Sequence, residues 1–120
     1  MTTDTVATEA VFKRHSEAFM NMGKTGVEPV IADYSEDAVL ITPTGVISGR
    51  DALREYFANI ATELPAGIMD TMQMGVTEIR GEIVYITWSA LPGIPMGSDT
   101  FVIRHGKIVA QTVVMYMPQV

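Results

Sequence analysis

Apolar positions near the start of the chain recur with a helical period. Val11, His15, Ala18 and Met22 follow one another at spacings of four, three and four, with Phe12 and Phe19 on the flank, which predicts a helix from about Thr3 to Met22. Gly23 offers the left-handed conformation that ends helices. A short second helix is expected next. Thr25 and Glu28 have capping-box spacing, and Val27, Val30, Ile31 and Tyr34 make an i, i+3, i+4, i+7 stripe. Pro29 has no N–H to give and fits only a first turn, so this helix begins close to it.

From Ala38 the period falls to two. Ala38 to Thr42 reads as a strand, Pro43-Thr44-Gly45 as a turn, and Val46 and Ile47 as the returning arm of a hairpin. Ser48 and Asp51 again have capping-box spacing, ahead of a helix with Leu53, Tyr56, Phe57, Ile60 and Leu64 on one side and Pro65 as its stop. After Gly67 the pattern is that of a sheet. Met69 to Ile79 turns at Arg80-Gly81-Glu82 into Ile83 to Ala90, and a loop with Pro92, Gly93, Pro95 and Gly97 leads to Asp99 to Arg104. The pair His105-Gly106 suits a two-residue hairpin turn before Lys107 to Met117. Helices gathered ahead of four consecutive antiparallel strands define an α+β architecture. A chain of 120 residues accommodates one core, so residues 1–120 are expected to form one domain.

The last strand is apolar on both faces. Ile108, Ala110, Thr112, Val114 and Tyr116 alternate with Val109, Gln111, Val113, Met115 and Met117. Helices and a cavity are expected over one face and a second subunit over the other, giving a homodimer. Composition points the same way. Hydrophobic residues make up 48% of the chain and charged residues 18%, and the mean hydropathy is +0.23, which excludes disorder and leaves apolar surface to be covered.

Charge and residue types remove several function classes. A net charge of -6, with no Lys/Arg stripe, repels phosphate backbones, so no nucleic acid partner is expected. The absence of cysteine removes disulfides, thiolate metal sites and a Cys nucleophile. The two histidines are isolated from each other, and no phosphate loop, nucleophile elbow or dinucleotide fingerprint occurs. No metal and no cofactor are therefore expected. Met1-Thr2-Thr3-Asp4 lacks the start of a signal peptide, and no apolar run approaches a membrane span, so the expectation is a cytoplasmic protein that leaves membranes alone.

Two side chains stand out. His15 lies among Val11, Phe12, Ala18 and Phe19 and should point inward. It is either a core histidine satisfied by a carbonyl or buried acid, or a general acid/base or oxyanion donor. Asp99 shares a strand face with Phe101 and Ile103. It is either a loop cap or a carboxylate inside an apolar cavity, where desolvation would raise its pKa. Trp88 shares its face with Val84 and Ile86 and serves either packing or the pocket. Tyr56, Phe101, Gln111, Val113 and Met115 complete the expected pocket lining, and the many methionines suit an adaptable apolar hollow or ordinary gap-filling.

Three segments together carry a resemblance. They are Asp33-Tyr34-Ser35-Glu36-Asp37-Ala38-Val39, then Thr42-Pro43-Thr44-Gly45 with Gly49-Arg50-Asp51-Ala52-Leu53, and Asp99-Thr100-Phe101-Val102-Ile103-Arg104-His105-Gly106-Lys107-Ile108. In order and spacing the chain resembles the nuclear transport factor 2-like superfamily, which contains ketosteroid isomerases and SnoaL-type polyketide cyclases. That resemblance implies a cone of three helices on a strongly curved, mostly antiparallel sheet around a cavity. In the isomerases a carboxylate removes a proton α to a carbonyl, while a tyrosine and a neutral aspartic acid donate hydrogen bonds to the enolate oxygen. Carried over by position, the tyrosine falls at His15, the neutral acid at Asp99 and the base at Thr42. Threonine is a departure, since it accepts no proton near neutral pH. The resemblance implies a cofactor-independent acid/base enzyme, isomerase- or cyclase-like, acting on a small apolar carbonyl compound through His15 and Asp99. A non-catalytic small-molecule-binding module and a dimerisation module of the same fold stand as alternatives.

Overall fold

The computed structural model describes residues 2–63 and 67–118. Helix α1 (Thr2–Met20) is followed by two single-turn helices, α2 (Met22–Thr25) and α3 (Glu28–Ile31), then strands β1 (Tyr34–Thr42) and β2 (Gly45–Ser48). Helix α4 (Arg50–Glu63) and a 3₁₀ turn (Ile68–Thr71) lead into β3 (Met72–Arg80), β4 (Ile83–Ala90), β5 (Ile94–Arg104) and β6 (Lys107–Tyr116). The six strands form one sheet in the order β2-β1-β6-β5-β4-β3. Every neighbouring pair is antiparallel except β1 with β6. This is the expected α+β arrangement. Leu64 and Pro65, the expected end of α4, lie outside the described residues.

Helix α1 buries Thr8, Val11, Phe12 and His15 against the sheet, a stripe at spacings of three or four. The expected second helix is shorter than its stripe suggested. Val30 and Ile31 are fully buried as helical residues, but Tyr34 already opens β1, paired with Ile108. Neither expected capping box forms. Thr25 bonds back to the Asn21 carbonyl (3.0 Å), while Glu28 and Asp51 both turn to Arg54 (2.6 and 2.7 Å). The 3₁₀ turn takes the first residues of the strand expected from Met69. Pro95 and Gly97, read as loop, lie inside β5. The register between β4 and β5 shifts between Trp88 and Ala90, and such an irregularity accommodates a proline. The His105-Gly106 turn forms as expected, with φ of 53° and 77° closing the Arg104–Lys107 pair.

Register shifts on β1, β3 and β6 set which side chains face inward. Tyr34 pairs with Ile108 but Val39 with Ala110, so Ser35 to Asp37 arch outward, with Glu36 and Asp37 in water. On β6 the extra residue is Val109, because Ile103 pairs with Ile108 and Val102 with Ala110. Simple alternation put Ile108 and Gln111 on opposite faces. The bulge brings both to the concave face, where both are buried. Among the described residues no helix is long and apolar enough to cross a membrane.

Candidate functional site

Strand pairing arranges the concave face in rows. One row carries Leu40, Gln111, Phe101, Val84 and Ile79; the next carries Val113, Asp99, Ile86 and Thr77; the third carries Met115, Gly97, Trp88 and Met74. Gly97 is a requirement of this third row. A Cβ there would stand 2.2 Å from a ring carbon of Trp88, so the indole lies across the bare glycine backbone. That placement lets Trp88 Nε1 donate to Asp99 Oδ1 at 2.8 Å.

Polar groups continue from this bond in an unbroken line. Gln111 Nε2 donates to Asp99 Oδ2 at 2.9 Å, and the Tyr34 hydroxyl donates to Gln111 Oε1. Tyr34 Oη lies 3.5 Å from His15 Nε2. The other ring nitrogen, Nδ1, lies 3.5 Å from Asp33 Oδ2, and Arg14 Nε donates to Asp33 Oδ1 at 2.7 Å. The Asp33 side chain is 3% exposed and that of Arg14 59%, so the line runs from the protein surface to the cavity wall. His15 Nδ1 and Asp33 Oδ2 are buried without a regular hydrogen bond. At 3.5 Å their contact is long for a hydrogen bond and close enough for charge to act across it.

The two carboxyl groups are pushed in opposite directions. Burial alone would raise Asp33, but hydrogen bonding and charge from His15 and Arg14 outweigh it and hold its pKa below the usual value. Burial raises the pKa of Asp99, and the bonds from Trp88 and Gln111 offset this only in part. Burial also pushes the Tyr34 hydroxyl well above its ordinary range, helped by the Asp99 charge, so Tyr34 stays protonated. Tyr56 is raised by burial in the same way. Edge-on aromatic contacts hold the imidazole, with ring centroids 5.2 Å from Tyr34 and 5.8 Å from Phe101.

Above this wall lies a cavity of about 130 Å³. Its lining is mostly apolar, from Phe12, Phe19, Phe57, Ile60, Ile86, Ile94 and a set of methionines that includes Met20, Met69, Met72 and Met74. A second hollow, bordered by Lys24 and Asp70, shares Phe19, Met20, Ile60, Ile68 and Met69 with it.

Of the residues expected from sequence, His15, Tyr56, Trp88, Asp99, Phe101, Gln111, Val113 and Met115 all line the cavity. Thr42 does not. It sits at the far end of β1, where its hydroxyl bonds to the Gly45 carbonyl and accepts from the Thr44 N–H, both at 3.2 Å, because it caps the β1–β2 turn. Asp33 is the acid beside His15, and Asp99 is engaged by Trp88 and Gln111. Sequence reasoning missed Asp33 and Tyr34 as site residues. The available signal was an acid two residues after the buried pair Val30-Ile31, an environment in which a carboxylate requires partners.

Comparison with known proteins defines the fold. No family model matches the chain, and no curated protein matches it. Among solved structures, an NTF2-like protein from Anabaena variabilis ATCC 29413 superposes with a TM-score of 0.76 at 17% identity, covering 93% of this chain and 91% of that one. A candidate ketosteroid isomerase from Kribbella flavida DSM 17836 gives 0.70 at 17% identity, covering 98% and 85%. A SnoaL-like protein of unknown function from Burkholderia thailandensis E264 gives 0.68 at 12% identity, covering 88% and 93%. The chain therefore has the nuclear transport factor 2-like fold shared by SnoaL-like and ketosteroid isomerase-like proteins. At these identities the likeness speaks for the scaffold, and chemistry has to be argued from the site.

Proposed function

We propose that the cavity takes a small, single-ring, largely apolar carbonyl compound and that His15 and Asp99 act on it as an acid–base pair, without a cofactor. The observation that carries this reading is that both groups lie in the lining of one mostly apolar hollow. A space of about 150 Å³ holds a benzene ring, so a cavity of about 130 Å³ is on the scale of one small ring and too small for a fused polycycle. In the reaction, a C–H bond next to the carbonyl breaks and its proton passes to whichever of the two groups is basic. The electron pair moves towards the carbonyl oxygen, which receives a hydrogen bond from the partner holding a proton. Return of the proton at a different carbon completes an isomerisation.

Incubating the protein with 3-cyclohexen-1-one in heavy water tests this by proton NMR. The conjugated isomer should accumulate with deuterium at its γ carbon, with His15→Ala and Asp99→Asn each slower by about 10²-fold or more. Equal rates in all three proteins would reject the assignment. A second reading, a pocket that holds its ligand unchanged, draws on the turn position of Thr42, which leaves no carboxylate where the isomerases keep their base.

The reading extends to a homodimer through the convex face. Ile41, Val46, Ile83, Tyr85, Val114 and Tyr116 are exposed there, and strand pairing puts them on the side away from the cavity. A specific contact needs about 800 Å² per partner. Light scattering after size exclusion should give twice the 13.1 kDa chain mass at micromolar concentration; a monomer there counts against the dimer.

A further inference from the structure

The hydrogen-bond line under the cavity restricts where its protons can be. Trp88 Nε1 only donates, so Asp99 Oδ1 accepts. Asp33 is held ionised, so His15 Nδ1, which faces it, carries a hydrogen; a bare lone pair there would oppose a carboxylate. The groups between His15 and Asp99 then have two consistent arrangements.

In the first, Gln111 donates to an ionised Asp99, Tyr34 donates to the Gln111 carbonyl, and His15 donates from Nε2 to Tyr34. His15 is then an imidazolium. In the second, the Gln111 amide is turned by half a turn and donates to Tyr34, Tyr34 donates to His15 Nε2, and Asp99 is protonated and donates to the Gln111 carbonyl. His15 is then neutral. Both arrangements hold the same number of protons, the same net charge and the same number of hydrogen bonds. Passing from the first to the second breaks the Nε2–H bond of His15 and makes an O–H bond on Asp99 Oδ2. Tyr34 and Gln111 end with as many protons as they began with, and no electrons are transferred.

We propose that Asp33 is a positioning residue that fixes the proton on His15 Nδ1, and that His15 and Asp99 thereby share one proton through Tyr34 and Gln111. The groups facing His15 from each packed element are Arg14 on its own helix, Asp33 ahead of β1, Tyr34 on β1 and, at longer range, Asp99 on β5. Of these only Asp33 touches Nδ1. Sharing a single proton means the cavity always presents one acid and one base, which is what the proposed isomerisation requires. The purpose of the device rests on that functional reading; its existence is tested without any substrate.

The test is ring-nitrogen NMR of the labelled histidines, with the His15 signals assigned through His15→Ala. In Asp99→Asn the amide side chain can only mimic the protonated acid, so His15 should be locked neutral, with Nδ1 protonated and Nε2 bare. In Asp33→Asn the anchor at Nδ1 is lost, and the tautomer with the proton on Nε2 should appear. Circular dichroism checks folding of each variant, and since Asp33 and Asp99 lie at opposite ends of the line, either variant alone decides its half. Ring-nitrogen signals identical to wild type in both folded variants overturn the shared proton. Loss of isomerisation with the NMR pattern as described would instead overturn only the functional reading.

Discussion

Replacing Gly97 with alanine should cost about 1–3 kcal/mol, the range for forcing extra volume into a packed site. The added Cβ meets the fused part of the Trp88 indole at 2.2 to 2.8 Å, which is rigid and cannot bend aside as a flexible side-chain end would. Trp88 has to swing off the sheet, giving up its bond to Asp99 and moving into the cavity. For a chain of this size the melting temperature should fall by roughly 4–12 °C. Because Trp88 is the only tryptophan, its fluorescence should change with it. A variant with wild-type melting temperature and unchanged emission would mean that the indole does not lie over Gly97, and the placement of Asp99 would lose its support.

The two buried aspartates should respond to pH with opposite signs. The pKa of Asp33 is lowered in the folded state, so its contribution is present above the unfolded carboxyl value near about 3.9 and is lost as pH falls through the lower folded value. Asp33→Asn should therefore lose about 1.5–3 kcal/mol at neutral pH, the worth of hydrogen bonds to a charged group, and progressively less as pH falls below the unfolded carboxyl value. The pKa of Asp99 is raised, so its ionised form costs stability above the folded value, and that cost disappears as pH falls towards the unfolded value. Asp99→Asn should melt higher than wild type near neutrality, with the gain vanishing in acid. Melting curves of the three proteins between pH 3 and 8 check both signs. Parallel curves would remove the electrostatic asymmetry from which the proton relay is built.

Much of this molecule is legible from periodicity and residue type. His15 and Asp99 declare themselves because each is a polar residue at a position whose neighbours in period are apolar, and the rows on the concave face follow from strand alternation through Trp88 and Phe101. Legibility ends where the backbone changes phase. The bulge at Val109 moves Ile108 to the face of Gln111, and nothing in the alternation of β6 marks it, since both of its faces are apolar. Tyr34 completes a helical stripe with Val27, Val30 and Ile31 as well as it opens a strand. The choice between the two is made by its pairing with Ile108, a partner distant in sequence. Asp33 escaped for a related reason: its partners lie on α1, and only tertiary packing brings them within reach. Thr42 was placed by position relative to other proteins, and the local hydrogen bonds of its own turn decide otherwise.

The indole N–H of Trp88 is a single resonance that points at Asp99 from the cavity wall. Titrating the protein with 2-cyclohexen-1-one should shift it in a saturable way, together with the side-chain amide of Gln111, and leave residues of the convex face such as Ile83 and Val114 where they were. Saturable shifts confined to the convex face, or none at all up to millimolar ligand, would contradict a ligand site in the hollow.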